Sequence, residues 1–185
     1  VKKEPTVLIE GTRFGRIVVD DDRLITIPRG LLGFADQRRF VLHEHRQSGP
    51  IAWFQSVDTP DLAFPVMDGL SLIEGYPEPS PAALAASVGL GADDVALLVL
   101  VTARATGVRL TANLLAPVIV DCRSRVGAQV VLDPQRWSSA HPIMSRPTSA
   151  PPRSLSNNPS NTNGASKRPE SATSLEPPHE RRIGG

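Results

Sequence analysis

Side chains able to hold a metal or attack a bond are few in this sequence, and they are scattered. Of the four histidines, His43, His45, His141 and His179, only His43 and His45 lie close together, two residues apart. On an extended strand that spacing puts both rings on one face, with Glu44 on the other. Zinc needs more ligands than two, so the simpler reading is a pair of polar residues at a strand end. Cys122 is the single cysteine, which excludes an intrachain disulfide and a cysteine-based zinc site. It follows an apolar run, as an ordinary buried thiol does.

The acidic clusters are no more promising. Asp20-Asp21-Asp22 lacks the alternating oxygen ligands of a calcium loop, and Asp93-Asp94 sits between expected elements, so both read as solvated turns. There is no G-x-S-x-G or S-x-x-K nucleophile motif. Nor is there a phosphate-cradling glycine loop, since Gly89-Leu90-Gly91 has neither the remaining glycine nor a basic follower. Aromatic residues make up 4% of the chain and none alternates with Lys or Arg, which removes the stacking platform a single-strand binder uses. A formal charge of +1 leaves no basic excess for neutralising phosphates. Neither catalysis nor nucleic-acid binding is visible, and no cofactor, metal or small-molecule ligand is expected.

The elements that would position any site read mainly as strands. Thr6–Glu10 and Arg16–Asp20 flank Gly11 and Gly15 like two arms of a hairpin. Leu24–Ile27, Phe40–His43, Ile51–Val57, Ala63–Met67, Val95–Ala103, Arg109–Asp121 (bent at Pro117) and Gln129–Leu132 continue the pattern. Short β-rich runs punctuated by Gly, Pro and Asp favour a barrel or sandwich over a βαβ fold. One helix is expected from Pro81 to Val88, with Ser80 as N-cap, Pro81 at its first position and Gly89 as the stop. A second helical turn is expected at Ala35–Arg39.

The composition changes near Ile143. From Pro147 to Gly185 the chain has no aromatic residue and is rich in Pro, Ser, Asn and Thr. Such a segment buries too little apolar surface to offset its chain entropy. One domain over residues 1–146 and a disordered tail over 147–185 are therefore expected. The amino-terminal Val1–Thr6 has no apolar signal-like run, and Val95–Val101 is far too short to span a bilayer, so a cytoplasmic location is expected.

Three segments are distinctive. Ile27-Pro28-Arg29-Gly30-Leu31-Leu32-Gly33-Phe34 leaves a strand through a glycine-rich turn. Gln55-Ser56-Val57-Asp58 leads through Pro60 and Asp61 to Ala63-Phe64-Pro65-Val66. Thr111-Ala112-Asn113-Leu114-Leu115-Ala116-Pro117-Val118-Ile119-Val120 is an apolar run interrupted by an amide and a proline. In this order, and with Leu97–Thr102 and Gly127–Leu132 beside them, they resemble the FliW family of flagellar assembly factors from about Thr6 to Ile143. The tail after Arg146 is a departure from that family's pattern.

The resemblance implies an all-β, small antiparallel β-barrel-like domain with one or two short helices and no catalytic activity. It implies two protein partners, flagellin and the RNA-binding translational regulator CsrA, whose repression of flagellin messenger RNA the factor relieves. Flagellin competes for the same factor, so that secreting it frees the factor to act on CsrA. Residues 1–146 carry 15 Lys and Arg against 16 Asp and Glu, so the contact with a basic regulator must rest on shape or strand addition as well as charge. A monomer is expected.

Protein-contact residues expected from these segments are Gly30, Gly33, Phe34, Gln55, Asp61, Phe64, Asn113 and Pro117. Four of these, and two neighbours, have a structural alternative. Gly30 and Gly33 serve equally as turn glycines, Phe64 and Trp53 as core, Asp58 as a turn former, and Asn113 as a brace for the bend at Pro117. Two other functional classes compete with the first. A hydrolytic domain would gather His43, His45 or an aspartate pair in a cleft, and a direct RNA binder would use a small-barrel surface.

Overall fold

The computed structural model describes residues 5–44, 49–103 and 110–143. His45, His179 and the segment expected to be disordered, 147–185, lie outside these residues, as does the expected domain limit at 146.

Eleven strands and one α-helix make up the described fold. The chain starts with a hairpin, β1 (Thr6–Thr12) and β2 (Gly15–Asp20), which forms a sheet of its own. The next strands are β3 (Ile25–Thr26), β4 (Arg39–Glu44), β5 (Ala52–Ser56) and β6 (Ala63–Asp68). The helix α1 (Pro81–Ser87) precedes β7 (Val95–Ala103), β8 (Leu110–Ala112), β9 (Val118–Asp121), β10 (Val126–Gln129) and β11 (His141–Ile143). Single 3-10 turns occur at Asp21–Arg23 and Gly69–Ser71.

The second sheet closes on itself. Its order runs β7-β6-β5-β4-β3-β10-β9, and β9 pairs back onto β7, giving a barrel of seven strands. All these pairings are antiparallel except the contact of β10 with β3 at Val126 and Thr26. β8 and β11 extend the sheet from the far half of β7.

The apolar run in β7 shows how the sequence builds three layers. Ala96, Leu98 and Leu100 point into the barrel with Ile25, Ile27, Phe40, Phe54, Val66, Val118 and Val120. Leu97, Val99 and Val101 point the other way, into a second core under α1 with Leu84, Ala85, Tyr76, Leu114, Ile119 and Leu132. A strand buried on both faces needs no polar alternation, which is why Val95–Val101 is continuously apolar. On the opposite side the hairpin lays Ile9, Ile17 and Val19 over Val41 of β4, a third core. Inside the barrel the rings of Phe40 and Phe54 stack 4.3 Å apart.

Most expected elements are present with small shifts. α1 is capped as its sequence indicates, Ser80 Oγ accepting from Ala83 N at 3.3 Å. Three expectations need correction. Ala35–Arg39 is not helical, because the amides of Arg38 and Arg39 donate to Asp58 Oδ2 at 2.8 and 2.9 Å and Arg39 opens β4. The run expected at Arg109–Asp121 is two strands, β8 and β9, parted at Asn113–Pro117. The last strand expected at Gln129–Leu132 begins earlier, at Val126, although its ladder continues, Val130 N and Leu132 N donating to the carbonyls of Pro117 and Leu115. β11 has no counterpart among the expected strands; it is a three-residue edge strand containing Pro142, whose missing donor is tolerated only at an edge.

Candidate protein-interaction site

The barrel topology gathers the distinctive segments at one end. At this end β3 and β10 finish, β4 and β9 begin, β5 finishes and β6 begins. Gly30, Gly33 and Phe34 follow β3, Gln55 and Asp61 lie at the end of β5 and in the loop after it, Phe64 is the second residue of β6, and Asn113 and Pro117 precede β9. All eight expected contact residues therefore belong to the same end of the barrel, though their side chains do different jobs there.

The turn after β3 is tightly built. Leu31 and Phe34 exchange backbone hydrogen bonds, Leu31 N to Phe34 O at 3.3 Å and Phe34 N to Leu31 O at 2.8 Å. Gly30 has a φ of +67°, and a Cβ there would sit 2.4 Å from Phe34 O, so only glycine fits. Gly33 also has a positive φ, +82°, but with open space around it. The outcome is a small platform that leaves Leu32 60% and Phe34 41% exposed. Phe34 packs edge-on against Phe64, ring centroids 5.0 Å apart, and Phe64 is half-buried against the barrel core.

A residue not singled out in the sequence ties this platform to the third segment. Gln129, on the last position of β10, accepts from Leu32 N at 2.8 Å through Oε1 and donates from Nε2 to Ala116 O at 2.9 Å. Two positions further along the same strand face, Val131 stands 59% exposed. The end of the barrel thus carries Leu32, Phe34 and Val131 as exposed apolar groups around a fixed amide.

Asn113 performs its structural alternative. Its N donates to Leu100 O at 2.8 Å, continuing the β7–β8 ladder, and its Oδ1 accepts from Ala116 N at 3.1 Å. Between them the chain bulges away from β7 and returns at Val118, which pairs with Leu98. Pro117 is buried at the return, where its missing donor costs nothing in the ladder.

Gln55 is fully buried and points into the β5–β6 loop, where Nε2 donates to the carbonyls of Ser56, Pro60 and Leu62 at 2.8, 2.8 and 3.0 Å. Asp61 is exposed on the same loop. Asp58 does more than turn the chain. Its carboxylate clips the start of β4 by accepting from both amides and from Arg39 Nε at 2.8 Å. Burial pulls its pKa upward, but the two amides and the guanidinium outweigh burial and hold it below the ordinary 3.8.

Among the described residues, side chains able to do chemistry are not gathered in any comparable way. Among the described residues no three His, Cys, Asp or Glu side chains are grouped to hold a metal. His43 lies against Phe14, ring centroids 4.9 Å apart. Asp93 forms an exposed ion pair with Arg123 at 3.3 Å. Cys122 is buried, and its thiol is pushed up to about 11, by burial first and by nearby Asp94 second, so it stays protonated at neutral pH. Among the described residues no helix is long and apolar enough to cross a membrane.

Comparison with known proteins places this architecture. The flagellar assembly factor FliW of Natranaerobius thermophilus is 38% identical over 137 residues, covering 73% of this chain and 91% of that protein. The factor of the same name from Geobacter sulfurreducens is 35% identical over 133 residues, covering 71% and 83%. A crystal structure of the flagellar assembly factor FliW superposes with a TM-score of 0.65 at 27% identity, covering 76% of this chain and 99% of that one. The family described as FliW protein matches residues 8–143, which span all of the described fold except residues 5–7. With that match and these relatives, the chain belongs to the FliW family.

Proposed function

We propose that this protein is a cytoplasmic flagellar assembly factor that works by binding other polypeptides and catalyses no reaction. Its partners in this reading are CsrA, whose repression of flagellin mRNA it relieves, and flagellin, which competes for it. The observation that carries the reading is the barrel end, where Leu32, Phe34 and Val131 are exposed on a frame fixed by Gly30, Asn113 and Gln129. Exposed apolar and aromatic groups on a rigid frame, with polar groups such as Asp61 around them, are what a protein contact uses as anchors. Rigidity lowers the ordering cost of binding. The partner switch follows from linkage: if flagellin and CsrA cannot occupy the factor together, each weakens the other's apparent affinity by the same factor.

The test is a pull-down and competition titration with CsrA and flagellin from the same organism. Saturable binding to each, with flagellin displacing CsrA, is expected. Binding to neither partner, or simultaneous binding of both without interference, would contradict the reading. An RNA gel-shift at moderate salt is expected to show no complex unless CsrA is present.

A further inference from the structure

Away from the barrel end, the amino-terminal hairpin has a free backbone edge. β1 and β2 make a two-stranded sheet that shares no ladder with the barrel. Their register pairs Val7 with Val19, Leu8 with Val18 and Ile9 with Ile17. Asp21 N donates to Pro5 O at 2.9 Å, which fixes the phase of the ladder. Hydrogen-bonded and non-bonded pairs alternate in an antiparallel ladder, so Ile17 and Val19 spend their backbone groups inside the hairpin. Arg16, Val18 and Asp20 therefore aim their N–H and C=O groups outward along a free edge. β2 carries neither the proline nor the lysine that usually blunts such an edge.

This edge borders a cleft of about 360 Å³ whose lining includes Ile17, Val18 and Val19 on one side and Leu42, His43 and Glu44 of β4 on the other. Val57 N donates to Arg39 O at 2.9 Å, so by the same alternation Leu42 turns its backbone away from β5 toward the side where two-residue β3 has already ended. The outer face of the hairpin carries Leu8, 50% exposed, directly opposite Val18, 60% exposed. Glu10 pairs there with Arg16 at 2.8 Å, and Asp20 stands at the far end of the row.

We propose that the free edge of β2 accepts an extended segment of a protein partner as an added antiparallel strand. The chemistry of β2 selects its occupant. Along the edge the bonded positions read basic, apolar, acidic at Arg16, Val18 and Asp20. An antiparallel strand with a basic residue, an apolar residue and an acidic residue at alternate positions meets each with its complement. This inference stands on the hairpin alone and survives or fails independently of the barrel-end reading.

The test uses the full chain and two synthetic peptides, one with a Lys-x-Val-x-Glu core and one with the charges exchanged. The first peptide is expected to bind saturably and to slow hydrogen exchange at the amides of Val18 and Asp20. Val18→Pro removes an outward donor without touching the bonds inside the hairpin and should abolish binding. Should that variant unfold, the exchange variant Arg16→Asp with Asp20→Arg decides: its preference should invert, favouring the exchanged peptide by about tenfold at low salt. No binding by either peptide, no inversion in the exchange variant, binding by a folded Val18→Pro chain equal to that of the unsubstituted chain, or self-association of the chain through this edge in place of peptide capture would overturn the proposal.

Discussion

Gln129 holds Leu32 in place from 97 residues away in sequence, its Oε1 accepting the Leu32 amide at 2.8 Å while its Nε2 is engaged by Ala116 O. Both ends of one side-chain amide are used, so the glycine-rich turn after β3 and the bulge before β9 are tied together. Gln129→Ala frees both and is expected to cost about 1–2 kcal/mol in chemical denaturation. Hydrogen exchange should show the Leu32 amide losing protection before the barrel strands do. Unchanged protection at Leu32 would show that the turn is held by other contacts.

The two turn glycines should separate cleanly. Gly30→Ala meets both a positive φ and a Cβ position 2.4 Å from Phe34 O, whereas Gly33→Ala meets the unfavourable φ alone. The first is expected to cost about 3 kcal/mol or more, the second about 1 kcal/mol, read as midpoint shifts in urea. Equal losses would mean that the turn relaxes around the new methyl group.

Asp58 gives a pH-dependent prediction. Its folded pKa lies below the unfolded value of 3.8, so its charge contributes stability that is complete above pH 3.8 and is lost as pH falls through the lower folded value. Asp58→Asn should therefore be less stable than the unsubstituted chain at neutral pH, with the difference shrinking below pH 3.8. A difference that stays constant across the acid range would assign the loss to geometry and not to the carboxylate charge.

Asn113 should behave as a brace. Asn113→Asp keeps the acceptor for Ala116 N, while Asn113→Leu removes it from a half-buried position. The leucine variant is expected to lose about 1 kcal/mol more than the aspartate variant in urea. The reverse order would favour a role for the amide toward a partner.

Much of this architecture was legible in the residues because each strand announces its own period and its own stops. Val95–Ala103 and the capped helix after Ser80 are set by local pattern and appear where that pattern puts them. Two of the failures share a cause, a long-range partner. Nothing near Ala35–Arg39 reveals that Asp58 will take its amides, and nothing near Asn113 reveals that β7 will pair on one edge with two successive strands. The site followed the same division. Its turn residues stand out by type, but Leu32 and Val131 look like any other aliphatic positions. Their exposure comes from the closure of the barrel, and Gln129 reads as an ordinary start to a strand until the turn it holds is folded beside it.

The most direct test of the barrel end as the protein-binding surface is a calorimetric titration of flagellin, and separately of CsrA, into the Leu32→Asp, Val131→Asp double variant. Both positions are exposed, so the fold should be retained. Affinity for at least one partner is expected to fall about a hundredfold, equivalent to about 2.7 kcal/mol. Val88→Asp, also exposed but just past α1, should bind as the unsubstituted chain does. Undiminished binding by the double variant, or an equal loss in Val88→Asp, would contradict the assignment of this surface.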